Sequence, residues 1–279
     1  MKPHAWTLLS WPARCWRRWT RGEHWSWRDR EHGPALPADF ENRVMTLSST
    51  DRFHAKQGRS TARIRFDNGL SIYLKRHQRL PWWTRLTAWL SPGRCQTPAG
   101  EEWRHLELAR TLGIPVPDAV AAGEWIGPQG QLSGYLAVAE LIGHEALHEA
   151  VPALAETLAP ATFLRWKRHL IPEIAAVTAR LHGARMFHQD LYLCHYFLDT
   201  AQDDFSRVPR LVLIDLHRLT LARWLPSRPQ VKDLAQLLFS TESVGGVEER
   251  DVLRFWMHYK RAMGLSRLRA RWLARWTLS

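Results

Sequence analysis

In HQDLYLCHYFLD, residues 188 to 199, an aspartate stands between two histidines as H-x-D-x4-H, formed by His188, Asp190 and His195. A carboxylate in such a place can take the proton of an attacking hydroxyl, and a second polar side chain at a fixed offset can help hold a cation beside it. Three more residues extend the set in chain order: Lys75 ends a strand-like run, Glu102 opens a helix-like one, and Asp215 closes the buried run in VLIDLH. That order suits phosphoryl transfer. A lysine held by a glutamate grips the α- and β-phosphates, an aspartate receives the hydroxyl proton, and two ligands hold magnesium against phosphate oxygens. Singly, each residue has a plainer reading: Lys75 as a solvated strand end, Glu102 as a first-turn helix charge, Asp215 as a strand-terminal cap. Their joint occurrence in this order is what argues for chemistry.

The elements that must position these residues can be read from hydrophobic spacing. TARIRF alternates polar and apolar residues, DNG supplies a turn and LSIYLK alternates again, which predicts a β-hairpin from about residue 60 to Lys75. After a basic loop, EEWRHLELARTLG (101 to 113) has helical spacing with a glycine at its end, and IPVP turns the chain. GYLAVAELI (134 to 142) reads as a buried strand. Beyond it, 160 to 182 is a long amphipathic helix, LVLIDL (211 to 216) a short buried strand, and 231 to 240 and 247 to 263 are further helices. No internal repeat is present. A strand-rich front and a helical back, joined near Glu140 to Gly143, predict an α+β fold of two lobes with a cleft between them. The division expected is a Trp/Arg-rich N-terminal extension (1–40), an N-lobe (41–141), and a C-lobe (142–279) that carries a basic C-terminal helix.

A chain of 279 residues with 45% hydrophobic and 24% charged residues can bury a sizeable core. Its apolar runs fall far short of the roughly 20 residues that span a bilayer, and Arg, Pro and His interrupt the N-terminus before a signal-peptide core can form. A location inside the cell is expected, soluble or peripheral to a membrane. Cys15, Cys95 and Cys194 are scattered and odd in number, which argues against a disulfide framework and against a CxxC metal site. The net charge of +12 favours a polyanionic partner without choosing one. Residues 1 to 30 hold six tryptophans and seven basic residues against two acids, a mixture that suits a headgroup region as well as it suits packing on the fold. In the tail SRLRARWLARWTLS, Leu265, Leu268, Trp272 and Trp276 can line one helical face among arginines, or pack on the lobe.

HQDLYLCH resembles the protein-kinase catalytic loop H-R-D-x4-N, with His195 where the asparagine would stand, and VLIDLHR falls where the kinase D-F-G would. Together HQDLYLCHYFL, IDLHRL and KDLAQLLFS look like the lipopolysaccharide core kinase family, over roughly residues 45 to 262. The resemblance implies a two-lobed protein-kinase-like fold with a β-rich N-lobe and a helical C-lobe. It also implies transfer of the γ-phosphoryl of ATP, with Mg2+, to an inner-core sugar, heptose first and 3-deoxy-D-manno-octulosonic acid as the nearest alternative. The implied partners are the anionic glycolipid acceptor and the anionic inner-membrane surface, met from the cytoplasmic side. No nucleic acid is expected.

By the same resemblance Lys75 is the phosphate-gripping lysine, Glu102 its helix partner, Asp190 the catalytic base and Asp215 the magnesium ligand. Asp233 in KDLAQL braces the catalytic loop from a helix below, and His188 packs against the Asp215 region. His195 has three open roles: direct coordination, coordination through water, or holding the loop, since imidazole is a poor ligand for hard magnesium. Around KQGRST (56 to 61) a single glycine, Gly58, stands where kinases have three, and it is the candidate phosphate-covering turn; Glu140 lies at the nucleotide-binding junction of the lobes. Asp215 is followed by Leu216 and His217 instead of Phe and Gly, and no A-P-E follows, so an activation loop is not expected.

HEALH at 144 to 148 matches the zinc motif H-E-x-x-H, in which two histidines one helical turn apart bind the metal. The strand-like run before it, Gly143, and Pro152 just after it disfavour the long helix this needs. A non-catalytic scaffold of the same fold is disfavoured by Lys75, Asp190 and Asp215.

Overall fold

The computed structural model describes residues 11–47, 52–56, 58–78, 80–91, 96–200, 207–222 and 227–277. The chain forms two compact units, one of residues 1–107 and 118–140 and one of residues 108–117 and 141–279.

The first unit is built from α1 (Trp11–Arg21), β1 (Glu23–Arg28), α2 (Phe40–Arg43), β2 (Arg52–Lys56), β3 (Arg59–Arg65), β4 (Ser71–His77), α3 (Trp82–Leu90), most of α4 (Pro98–Thr111), β5 (Ala119–Ile126) and β6 (Leu132–Ala139). Among the described residues its six strands form an antiparallel sheet in the order β1-β5-β6-β4-β3-β2. The DNG turn closes β3 onto β4 as its sequence predicts: Gly69 takes a left-handed φ of +87°, and Asn68 Oδ1 accepts the Leu70 amide at 3.1 Å. Ile72 and Leu74 of β4 point to a core shared with Val120, Tyr135 and, from α2, Phe40. That alternation leaves Lys75 on the opposite face of the sheet from Leu74.

Several parts of this unit differ from the sequence reading. Residues 82–90, within the stretch read as a basic loop, are the helix α3. Residues 23–28, within the segment read as an extension, form the edge strand β1, paired along its length with β5. Trp25 and Trp27 alternate on β1 and both rings pack on Trp103 of α4. Residues 1–10 of that segment lie outside the described residues, as does Cys95.

The second unit comprises β7 (His144–Ala146), α5 (Leu147–Thr157), α6 (Pro160–Gly183), β8 (Met186–Phe187), β9 (Tyr196–Asp199), β10 (Leu211–Leu213), β11 (Thr220–Leu221), α7 (Ser227–Phe239), α8 (Glu249–Ala262) and α9 (Arg267–Thr277). Trp166, Leu170, Ile174, Val177 and Leu181 recur at helical spacing along α6 and are all buried. β9 pairs with β10 and β8 with β11, so the 188–195 loop, between β8 and β9, and the 214–219 loop, between β10 and β11, are held side by side. The stretch 108–117 is tied into this unit by backbone bonds: the Leu213 amide donates to the Pro115 carbonyl at 2.8 Å, and Arg180 Nη1 donates to the Gly113 carbonyl at 2.5 Å.

HEALH straddles β7 and α5, which places His144 on a strand and His148 on a helix. The two histidines are therefore not one turn apart on a helix, and the zinc-helix geometry is absent. α5 itself runs through Pro152 to Thr157. Among the described residues no helix is long and apolar enough to cross a membrane.

Candidate active site

In the β-rich unit, α4 is fixed at its start before it presents any functional group. Glu124, buried on β5, accepts the Thr97 amide at 2.5 Å and its hydroxyl at 2.7 Å, and the Thr97 hydroxyl in turn caps the Gly100 amide at 3.0 Å. β6 passes beneath with Gly134, where a Cβ would overlap the Thr97 side chain, so the helix lies close against the sheet. One turn on, Glu102 reaches Lys75 of β4, with Oε1 to Nζ at 2.6 Å. The glutamate is almost fully buried and its second oxygen, Oε2, has no hydrogen-bond partner among the described residues. A buried carboxylate holding a lysine on a strand end fixes a cation where a polyphosphate can meet it.

Gly58 sits in the turn between β2 and β3 with a left-handed φ of +80°, and its carbonyl accepts the Gln78 amide at 2.6 Å. Gln57 of KQGRST lies outside the described residues. Glu140 follows β6. Its amide donates to the Ser71 carbonyl at 3.0 Å and its carboxylate pairs with Arg63 at 2.5 Å, so its side chain is engaged inside the sheet.

In the helical unit the 188–195 loop is suspended from α7. Asp233, wholly buried, accepts the His188 amide on Oδ2 and the Gln189 amide on Oδ1, both at 2.7 Å, and approaches His182 Nε2 at 3.2 Å. Presenting two successive amides to one carboxylate bends the chain, and Gln189 takes a left-handed φ of 66° that a non-glycine residue adopts only at a cost. Gln236, further along α7, and Ser240, just past its end, accept the Leu191 and Leu193 amides at 3.2 and 3.0 Å.

Within this loop His195 Nδ1 donates to the Asp190 carbonyl at 2.6 Å, and its Nε2 faces Asp215 Oδ2 at 4.0 Å. Asp215 is also in a left-handed conformation, φ 63°, which turns its carboxylate back toward the neighbouring loop; Oδ1 accepts from His217 Nδ1 at 2.6 Å. His188 Nε2 donates to the Ile214 carbonyl at 2.9 Å and its ring stacks on that of His195. Its Nδ1 is buried with no partner among the described residues, and burial pushes its pKa below the ordinary histidine value, so the ring is neutral. For His195 burial also acts downward, but contact with Cys194, the Asp190 carbonyl and the Asp215 charge outweigh it and raise the group.

Asp190 is the part of the loop turned outward, and Arg218 Nη1 lies 3.4 Å from its Oδ1. The sequence reading did not single out Arg218, His217, Gln236 or Ser240. The last two had a signal, since Asp233, Gln236 and Ser240 in KDLAQLLFS fall at helical spacing on one face. The structure thus brings Asp190, His195 and Asp215 together in one unit and Lys75 and Glu102 together in the other.

Among the described residues no group of three or more His, Cys, Asp or Glu side chains is placed to hold a metal ion. Asp215 Oδ2 and His195 Nε2 lie 4.0 Å apart. One or two protein ligands are what magnesium takes when phosphate oxygens and water complete its shell.

Residues 49–259 match the sequence model of the family described as "Lipopolysaccharide kinase (Kdo/WaaP) family". The lipopolysaccharide core heptose(I) kinase WaaP of Pseudomonas aeruginosa is 31% identical over 209 residues, which cover 74% of this chain and 75% of that protein. The protein of the same description from Escherichia coli is 29% identical over 217 residues, 77% of this chain and 79% of that one. A solved structure described as WaaP in complex with acyl carrier protein superposes with a TM-score of 0.69 at 26% identity, covering 91% of this chain and 98% of that one. The α+β protein-kinase-like fold expected from the sequence is thereby shown.

Proposed function

This chain belongs to the lipopolysaccharide kinase (Kdo/WaaP) family, and we propose that it transfers the γ-phosphoryl of ATP to a heptose hydroxyl of the lipopolysaccharide inner core, with Mg2+, at the cytoplasmic face of the inner membrane. The observation that carries the reading is the convergence of Asp190, His195 and Asp215 on two loops held side by side by their strand pairs.

In this reading Asp190 receives the proton of the heptose hydroxyl as its oxygen attacks the γ-phosphorus, and ADP leaves. Arg218 holds the carboxylate from one side. Lys75, fixed by Glu102, binds the α- and β-phosphates, and the Gly58 turn covers them. Asp215 and His195 supply the metal ligands. His195 is suited to the task because its Nδ1 proton is committed to the Asp190 carbonyl, so the same contact that aims Nε2 also fixes the backbone carrying the base. Bound there, Mg2+ would neutralise the charge on the transferring phosphate. Glu140, with amide and carboxylate both engaged, has its carbonyl left to offer a nucleotide base.

The acyl carrier protein of the similar structure suggests a partner for this chain as well. The helical unit contains an apolar cavity of about 380 Å³ whose walls include Leu147, Ile171, Leu237, Val252 and Trp256. Its lining suits an acyl chain.

Incubation with γ-labelled ATP and lipopolysaccharides truncated at defined core sugars tests the proposal. Phosphate on a heptose is expected. Phosphate on the octulosonic acid would replace the acceptor and keep the chemistry, whereas no ATP-dependent transfer to any core would sink the reading.

A further inference from the structure

Large apolar side chains gather on the outside of the β-rich unit where neither the nucleotide-binding residues nor the core has a use for them. On α3, Trp82, Trp83, Leu86 and Leu90 are all exposed, Trp83 by 62%. At 3.6 residues per turn they fall within about 100° of arc, opposite the buried Ala88. On α1, Trp11, Trp16 and Trp19 are exposed as well, Trp16 by 68%. The two helices are fastened to one another. Trp11 Nε1 donates to the Leu90 carbonyl at 3.2 Å, Trp89 Nε1 to the Cys15 carbonyl at 2.8 Å, Arg18 donates to the Ala88 carbonyl, and the Trp19 and Trp89 rings lie 5.2 Å apart.

Charge is distributed to match. The sequences of α1 and α3, WPARCWRRWTR and WWTRLTAWL, contain arginine five times and no acid. Arg18 is turned inward onto Glu23, while Arg21 and Arg85 are exposed. Indole rings with arginines at their margins are what the headgroup layer of a bilayer accommodates, ring dipoles at the interface and cations on the phosphates.

We propose that the α1–α3 pair is the face by which this protein docks on a bilayer containing anionic lipid. The rings are already held outward, so docking requires no refolding of either helix. The inference does not depend on the kinase reading, because the vesicle-binding measurement that decides it uses no ATP.

The experiment is sedimentation with vesicles of phosphatidylcholine containing about a third phosphatidylglycerol, at several salt concentrations. The parent should bind, less as salt rises, and brominated lipid should quench its tryptophan fluorescence. The double variant Trp82→Ser/Trp83→Ser should bind about tenfold or more weakly. Arg85→Glu, a single exposed change that leaves the core untouched, should lose most of the binding at low salt. Both should unfold at the parent temperature and phosphorylate a soluble core oligosaccharide at the parent rate. A parent that ignores these vesicles at every salt, or variants that bind as the parent does, would overturn the proposal. It would likewise fall if binding were lost only when Leu268 and Trp272 of α9 are changed to serine, or if a protein partner were the only ligand of this face.

Discussion

Asp233 holds the backbone amide of His188 at 2.7 Å from a site with no access to water. Its other oxygen takes the Gln189 amide, so one side chain of α7 sets the entry of the catalytic loop. In Asp233→Asn one of the two amides must face an NH2 group instead of an acceptor. A loss of about 2–5 kcal/mol in unfolding free energy is expected, with transfer activity falling as well. Denaturant unfolding measures it; a variant as stable as the parent would show that the loop is braced elsewhere.

Lys75→Ala should weaken ATP binding as well as turnover, because the lysine meets the phosphates in the ground state. It also strands Glu102 in the interior, so the variant should be destabilised. Adding Glu102→Gln should return much of the stability and none of the ATP affinity. Calorimetric titration and thermal unfolding separate the two effects, and recovery of both would remove Lys75 from the nucleotide site.

Asp190→Asn keeps the shape of the loop, including the backbone carbonyl that His195 grips, but removes the base. ATP and Mg2+ should bind as before while kcat falls by roughly 10² to 10⁴. Full sugar-kinase activity in this variant would send the search for the base elsewhere.

Asp215→Asn should act on the metal: the Mg2+ concentration needed for half-maximal activity should rise, with excess Mg2+ recovering part of the rate. His195→Asn, which can still donate to the Asp190 carbonyl or offer an oxygen, should retain appreciable activity, and His195→Ala should not. Equal, small effects of the two His195 changes would leave the imidazole with no part in metal binding.

Arg28 of β1 forks onto Glu41 of α2, Nε to one carboxylate oxygen and Nη2 to the other. That hydrogen bonding, against the opposing effect of burial, holds the Glu41 carboxyl below its ordinary value. A carboxyl lowered on folding adds stability above its unfolded value of about 4.3 and loses it as the pH falls through the folded value. The gap in Tm between the parent and Glu41→Gln should therefore be widest near neutral pH and close as the pH falls below the unfolded value. A gap that widened toward acid would reverse the assignment.

What the sequence made legible was local. The β3–β4 hairpin has its turn residues and alternation within a dozen or so positions, and α6 shows its buried face at every turn. The H-x-D-x4-H loop was readable because its chemistry depends on side chains a few residues apart. β1 was not, although Trp25 and Trp27 alternate, because six residues paired to a strand nearly a hundred positions later give no local pattern long enough to separate from their surroundings. α3 was hidden for another reason: its apolar face is exposed, so the polar outer surface that marks an ordinary amphipathic helix is missing. Arg218 escaped notice because its partner Asp190 is on the neighbouring loop, and only the paired strands bring the two together.

The excursion of residues 108–117 into the helical unit has a consequence for the order in which the protein can be made. This stretch leaves the ribosome well before its partners; Arg180, which binds the Gly113 carbonyl, is synthesised 67 residues later. A nascent chain that has reached residue 140 has all the strands of its sheet in hand, yet it carries, from the last turn of α4 to the start of β5, a segment that must wait in water for contacts not yet translated. For the same reason, a cleavage between residues 140 and 141 would not yield two independent halves. The amino-terminal fragment would retain ten residues that the carboxy-terminal fragment needs in order to close its own fold.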